Sequence, residues 1–230
     1  MGVAEAVTSG GSLGRSAQVA HALRRDIVLG TRAPGEALRE LELAQQFNVA
    51  QGTIREALMG LAEEGLVRRR ARRDTHVAPS NTDDVGELLR IRHDIECHAA
   101  RRVIERCDDT LLADLGLQLQ AMQFAALQED EYSLLEHDCR FHLRLFAAAA
   151  LPVVEPILSR CLVHTQRYKI LNSAPQSRDL TATANRHLSI LDAVRDADEG
   201  ALATALSHHI TTIVDFGPPL GPAAGRGTQA

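Results

Sequence analysis

The stretch Asn48–Val67, NVAQGTIREALMGLAEEGLV, limits the possible folds more than any other. Ile54, Leu58 and Leu61 recur at three to four residues and so share one face of a helix. Gly65 follows the last apolar turn, where a helix stop belongs. Thr53 and Arg55 lie near the helix start and alternate with the apolar positions. A short helix over Leu41–Phe47 precedes it, which gives a helix-turn-helix. Five Arg then fall in the six positions from Arg68 to Arg73. A helix-turn-helix followed by a basic hairpin has the build of a winged DNA-binding domain: its second helix enters the major groove and its arginines meet phosphates.

The overall charge of −5 looks unsuited to that role, but the charge is unevenly spread. Ser16–Pro79 holds 10 Arg and 8 acidic residues, 10 − 8 = +2, whereas Ser80–Asp215 holds 13 basic and 21 acidic, 13 − 21 = −8. A mildly basic head on an acidic body suits a regulator whose body stays off the DNA. With 3% aromatic residues and no Trp, aliphatic helices fit the remainder better than sheets. Cys97, Cys107, Cys139 and Cys161 show no C-x-x-C spacing and are expected to be reduced, half-buried small residues. No apolar run approaches membrane-spanning length, and the N-terminus lacks a basic start with an apolar core. The expected location is the cytoplasm.

The organisation follows in order. Residues 1–15 form a Gly/Ser-rich tail. Residues 16–79 hold a first helix over 16–29, the helix-turn-helix, and a wing near Leu66–Arg70 and Thr75–Ala78. Pro79-Ser80-Asn81 is a linker, and Thr82 or Asp83 is the expected cap of the next helix. Residues 80–215 give helical segments near 83–106, 110–128, 131–150, 153–172, 180–197 and 199–214, a bundle of six or seven helices. Residues 216–230 are a Gly/Pro-rich tail. The fold class is mainly α with one small β wing.

Three stretches of the body put metal-type ligands on apolar faces. In LLEHDCRFHLRLF, Asp138 and His142 are four apart and share a face with Leu134, Leu135, Phe141 and Leu145. In NRHLSILDAV, His187 aligns with Ile190, Leu191 and Val194; in ALATALSHHITTIV, His209 aligns with Leu202, Leu206 and Ile213. One inward His is ordinarily a hydrogen-bonded core residue. Three with an inward Asp can form a metal site in the bundle core. Arg92 shares a face with Leu88, Ile95 and Ala99, and a buried Arg needs an anion. An internal pair with Glu96 or Asp138 would supply one, and so would the carboxylate of a bound ligand.

With these residues in place, the chain resembles GntR-type bacterial transcription regulators of the FadR-like subfamily, with an all-helical FCD effector domain. The resemblance rests on AL-x-x-x-IVLG, APGEALRELELAQQFNV, TIREALMGLAEEGLV and the basic wing, and in the body on LLRIRHDIE, D-C-R-F-H-L-R-L-F and H-L-S-I-L-D-A-V. It implies a homodimer, expected to be a repressor, on pseudo-palindromic operator DNA, released or rearranged by a small carboxylate metabolite. It implies a divalent metal, zinc before nickel or manganese, on Asp138, His142, His187 and His209, with Arg92 at the effector. It implies that Arg39, Gln51 and Arg55 face DNA with the wing tip, and the DNA-facing set is completed by Thr53, Arg72, Arg73 and His76. No catalytic residue is expected. A metal-dependent enzyme, since an Asp/His3 site leaves positions open for water, and a purely structural metal are the competing readings.

Four departures from the resemblance are visible. Gln51 stands where Arg is usual, and Gln reads adenine where Arg reads guanine. Ala50 stands where a Ser commonly caps the recognition helix, and Asp74 replaces the wing-tip Gly. Ala150-Leu151-Pro152 replaces the Gly-Asn that commonly follows the Asp/His helix.

Alternate strand residues point oppositely, so the five arginines of the wing cannot all face DNA. Arg72 and Arg73, nearest the tip, are the expected phosphate contacts. Replacing both with Ala should flatten the slope of log K against log salt by about 1–2 units in a titration of operator binding; an unaltered slope would leave the run a solvated face.

Overall fold

A computed structural model of the chain describes residues 14–69, 75–174 and 178–212. The chain divides into two compact units between Pro79 and Ser80, with Val28–Gly30 grouped with the second.

In the first unit, α1 spans Arg15–Val28, α2 Glu40–Phe47 and α3 Gln51–Glu63. Two strands follow, β1 at Val67–Arg69 and β2 at Thr75–Val77. The helices form because each carries one apolar stripe. Leu23 and Ile27 from α1, Leu43 from α2, and Ile54, Leu58 and Leu61 from α3 bury together with Leu66 and Val77. Between α2 and α3 the chain turns at Asn48, whose φ of 50° is the left-handed cap that Asn tolerates. Gly65, at φ 77°, follows α3 and lets the chain reverse into β1. The strands pair antiparallel with Val67 opposite Val77, Arg68 opposite His76 and Arg69 opposite Thr75. Arg24 on α1 makes a fork with Glu64 just beyond α3, its Nε 2.7 Å from Oε2.

The second unit is a helical bundle: α4 Thr82–Glu105, α5 Asp109–Leu127, α6 Glu131–Ala147, α7 Glu155–Asn172, α8 Leu180–Asn185, α9 Leu188–Arg195 and α10 Glu199–Thr212. α4 packs against α7 and α10, α5 against α6 and α8, and α6 against α7. The side chains of Asn81, Asp108, Asp130 and Asp179 accept the backbone N–H three residues on and start α4, α5, α6 and α8. Asn81 therefore takes the capping role expected of Thr82 or Asp83, which lie inside the helix. No helix among the described residues is long and apolar enough to cross a membrane. Cys161 is buried, Cys97, Cys107 and Cys139 are half-buried, and all four are free thiols.

Two local breaks matter. The segment expected as one helix over 180–197 is interrupted at Arg186 and His187. Both the backbone N–H of His187 and its ring Nδ1 approach the Ala184 carbonyl, at 3.2 and 3.1 Å. Continuing the helix would give that carbonyl to Leu188, so the His187 side chain competes directly with the helix ladder. After α6, Ala150 holds φ 52°. Gly or Asn takes that conformation readily, whereas Ala does so at a cost of about 1–2 kcal/mol. The preceding Ala149 carbonyl is fixed there by Arg102 and Arg106, whose Nη1 atoms donate to it at 3.2 and 2.9 Å.

Ala50 is the N-cap of α3, extended at ψ 149° but with no side chain to accept the orphan amides. Ala50→Ser should stabilise the first unit by about 1 kcal/mol, seen as slower hydrogen exchange of the α3 amides; unchanged protection would mean another group satisfies them.

Candidate metal centre and nucleic-acid interface

Asp138 and His142 stand on adjacent turns of α6, His187 at the α8–α9 break and His209 on α10, and all four are buried. Each offers a ligand atom, and these four atoms lie within 4.8 Å of one another. Ligands bound at 2.0–2.2 Å lie about 3.3–3.6 Å apart around a tetrahedral ion and about 4.4 Å apart when opposite each other, so side-chain adjustments of about 1 Å bring the set onto one ion.

Hydrogen bonding fixes which nitrogens point inward. His142 Nδ1 lies 2.5 Å from Glu96 Oε2. A carboxylate only accepts, so Nδ1 carries the proton and Nε2 keeps its lone pair. His187 Nδ1 likewise donates to the Ala184 carbonyl at 3.1 Å, which leaves its Nε2 as a lone-pair donor. His142 Nε2 and His209 Nε2 are 3.1 Å apart. His187 Nε2 is 3.1 Å from Asp138 Oδ1, outside hydrogen-bond geometry, the separation of two ligands sharing a third atom. His187 Nε2 and His209 Nδ1 have no hydrogen-bond partner among the described residues. Such orphaned buried polar atoms are costly unless something else satisfies them.

Electrostatics favour a cation here. Burial pushes the His142 and His209 imidazoles down, so both are neutral; for His209 the neighbouring His187 and His142 push it lower still. Burial opposes ionisation of Glu96, but Arg92 and then His142 outweigh it and hold the carboxyl at about 2. Burial is outweighed at Asp138 too, first by the adjoining His187 and then by His142 and Arg92, so its carboxyl stays well below the usual range.

Arg92 is fully buried on α4 and pairs through Nε with Glu96 Oε1 at 2.5 Å. Of the two pairings open in the sequence, the one with Glu96 forms. Arg92 Nη2 reaches His142 Nε2 at 2.9 Å, and Nη1 has no hydrogen-bond partner among the described residues. Gln166 of α7 was not among the residues expected at the site; its amide donates to Asp138 Oδ2, and its Oε1 is buried with no partner among the described residues. The available signal was Gln166 falling four residues after Leu162 on the apolar face of α7. Arg167, also fully buried, was missed as well, and burial lowers its guanidinium to about 10.

In the first unit, Gln51 and Arg55 are exposed on α3 and Thr53 is half-buried. Arg55 Nε is held by Glu40 Oε2 at 2.8 Å, and Arg69 of β1 comes within 3.9 Å of the same carboxylate. Arg39 is exposed ahead of α2 and donates to Glu42 at 2.8 Å. His76 is half-buried in β2, opposite Arg68. Arg72, Arg73 and Asp74 lie outside the described residues.

A helix-turn-helix with a two-stranded wing, joined in one chain to a helical bundle holding a buried Asp/His3 cluster, defines a class of DNA-binding regulator. The chain belongs to the GntR family with an FCD domain: residues 15–77 match the model of bacterial regulatory proteins of the gntR family, and residues 87–212 match the FCD domain. It is thus a DNA-binding transcription regulator of the GntR/FCD type. It is 28% identical over 200 residues to the HTH-type transcriptional repressor RspR of Escherichia coli, covering 85% of this chain and 86% of that protein. It is 23% identical over 205 residues to the gluconate operon transcriptional repressor of Bacillus subtilis, covering 86% and 83%. The solved structure of E. coli McbR/YncC shares the fold, with a TM-score of 0.72 at 20% identity over 87% of this chain and 95% of that one. A putative GntR regulator from Rhodococcus sp. RHA1 does so at 0.69 and 23%, over 89% and 99%.

Glu96 orients His142 and fixes its tautomer, as carboxylates commonly do for histidines that bind metal. Glu96→Gln should weaken divalent-metal affinity about 10–100-fold in a chelator competition, with helix content unchanged. Equal affinity would leave Glu96 only as the partner of Arg92.

Proposed function

We propose that this chain is a metabolite-responsive repressor. Its head, residues 16–79, binds operator DNA, and its body, residues 80–215, senses a small carboxylate through a divalent metal. Asp138, His142, His187 and His209 hold the ion, which is zinc by the preference for three imidazoles and one carboxylate; nickel and manganese are the alternatives. When bound, the ion supplies an electrophilic site for carboxylate oxygens. The chain works in the cytoplasm as a homodimer on a pseudo-palindrome, with Arg39, Gln51, Thr53, Arg55, Arg72, Arg73 and His76 toward the DNA.

The observation that carries this reading is the convergence of four buried ligand-type side chains, Asp138, His142, His187 and His209, whose ligand atoms lie within 4.8 Å of one another. Arg92 contributes +1, and Glu96 and Asp138 contribute −1 each. With the three histidines in the lone-pair state required of a ligand, the sum is −1. A divalent cation turns it to +1, and a monocarboxylate then brings it to zero. Arg92 Nη1 is a buried donor with no partner among the described residues, and it supplies a place for the carboxylate. A site built only to hold a structural metal would need neither that donor nor the Oε1 of Gln166. The repressor names of the two relatives agree with the direction of control.

His209→Ala should remove the metal and the effector response together while leaving operator affinity within about twofold, since a ligand acts only through its differential affinity for two states. Elemental analysis of protein purified without a metal-affinity tag, alongside operator titrations with and without chelator, is the measurement. A wild-type protein that takes up no zinc, nickel or manganese would overturn the metal.

A further inference from the structure

Helix α7 buries one ridge at intervals of four residues: Leu158, Leu162, Gln166 and Ile170. Three members are aliphatic and the fourth is an amide, buried as they are. A leucine at position 166 would continue the ridge without polar cost, whereas glutamine takes a carbonyl and an amino group out of water. One end of the amide is accounted for, since Nε2 donates to Asp138 Oδ2. A carboxylate only accepts, so this bond fixes which end of Gln166 faces Asp138. The other end, Oε1, is buried with no hydrogen-bond partner among the described residues. Thr165, the buried polar residue beside it, is satisfied within its own helix, by the Cys161 and Leu162 carbonyls at 2.8 and 3.1 Å. The orphan acceptor therefore belongs to Gln166 and not to α7 in general.

Gln166 Oε1 and Arg92 Nη1 border the same cluster and have opposite needs. Arg92 Nη2 is 2.9 Å from His142 Nε2, Gln166 holds Asp138, and those two residues occupy adjacent turns of α6. A guanidinium N–H can only donate, and an amide oxygen can only accept. A carboxylate answers Arg92, but it has no proton to give to Gln166. The bound molecule must bring a donor as well. An ammonium donor would set a second positive charge beside the buried Arg92 guanidinium, whereas a hydroxyl adds no charge. An oxo group or a bare hydrogen in that place would leave Oε1 buried and unpaired, which costs affinity.

We infer that the effector of this site is a small hydroxycarboxylate, and that Gln166 Oε1 accepts from its hydroxyl. The inference rests on the carboxylate-effector reading and adds the chemical class within it. Arg92 takes the carboxylate, and Gln166 separates a hydroxy acid from the oxo and unsubstituted acids of the same skeleton. The ligand joins Arg92 of α4 to Gln166 of α7, two helices that already pack together.

Calorimetric titration of the zinc-saturated full chain with matched acids tests it. The sets are lactate, pyruvate and propionate; malate, oxaloacetate and succinate; and 3-hydroxybutyrate, acetoacetate and butyrate. In the skeleton that fits, the hydroxy acid should bind at least about tenfold more tightly than its two partners. Gln166→Met keeps the length of the side chain and removes its oxygen, and Gln166→Asn draws the oxygen back. In both, the members of that set should bind within about threefold of one another. A merely structural role for Gln166 would weaken all three alike, so a variant that keeps the wild-type ratio would overturn the assignment of Gln166. Loss of zinc binding in Gln166→Met would make Oε1 a ligand of the ion and overturn it too. Equal affinities across a set that binds wild type would overturn the hydroxycarboxylate class and leave the carboxylate-effector reading standing. A zinc-saturated wild type that binds no member of any set would overturn both.

Discussion

The pairing of Glu96 with both Arg92 and His142 is the interaction on which the buried site depends. Arg92 is fully buried and would cost several kcal/mol there without an anion. Glu96 supplies the anion at 2.5 Å and with its other oxygen takes the Nδ1 proton of His142, also at 2.5 Å. One carboxylate therefore keeps a guanidinium charged inside the bundle and turns the Nε2 lone pair of a histidine toward the cluster. It also ties α4 to α6, the helix that carries Asp138 and His142. Removing Glu96 would leave Arg92 an unpaired buried charge, whereas Gln preserves the shape and tests the tautomer alone.

Much of this was legible in the sequence, because helical periodicity converts directly into direction. Asp138 and His142, four apart among Leu134, Phe141 and Leu145, could only share the inward face. His187 and His209 were legible in the same way from their apolar neighbours. The family resemblance joined the four into one set, since spacing within single helices says nothing about which helices meet. The break at His187 was not legible: it comes from a side chain taking a carbonyl from the helix ladder, and NRHLSIL carries no Gly or Pro to mark it. Glu96 was visible as a partner of Arg92, but its second bond to His142 crosses 46 residues and has no local signature. Gln166 left only a faint trace, one polar residue on the apolar side of α7.

In the head, the same logic separates fold from recognition. Ile54, Leu58 and Leu61 lock α3 into the core, which leaves Gln51 and Arg55 exposed on its other side. Arg55 is not loose there: Glu40 holds it at 2.8 Å, and Arg69 of β1 is near the same carboxylate. Glu40 is mostly shielded, at 12% side-chain exposure, so it acts as a fixed anchor between α2, α3 and the wing. The sequence marked these arginines as basic surface. The acid that sets their direction belongs to a helix start and resembled any other first-turn Glu.

α6 connects the buried cluster to the outer surface of the body. It supplies Asp138 and His142 to the cluster on one side and packs against α5 on another. The contact with α5 is pinned by Arg144 to Asp114 and His137 to Gln118, as well as by apolar packing. Packed interfaces of this density shift as units and do not deform continuously. A displacement of Asp138 or His142 therefore bears on α6 as a whole, and through it on α5.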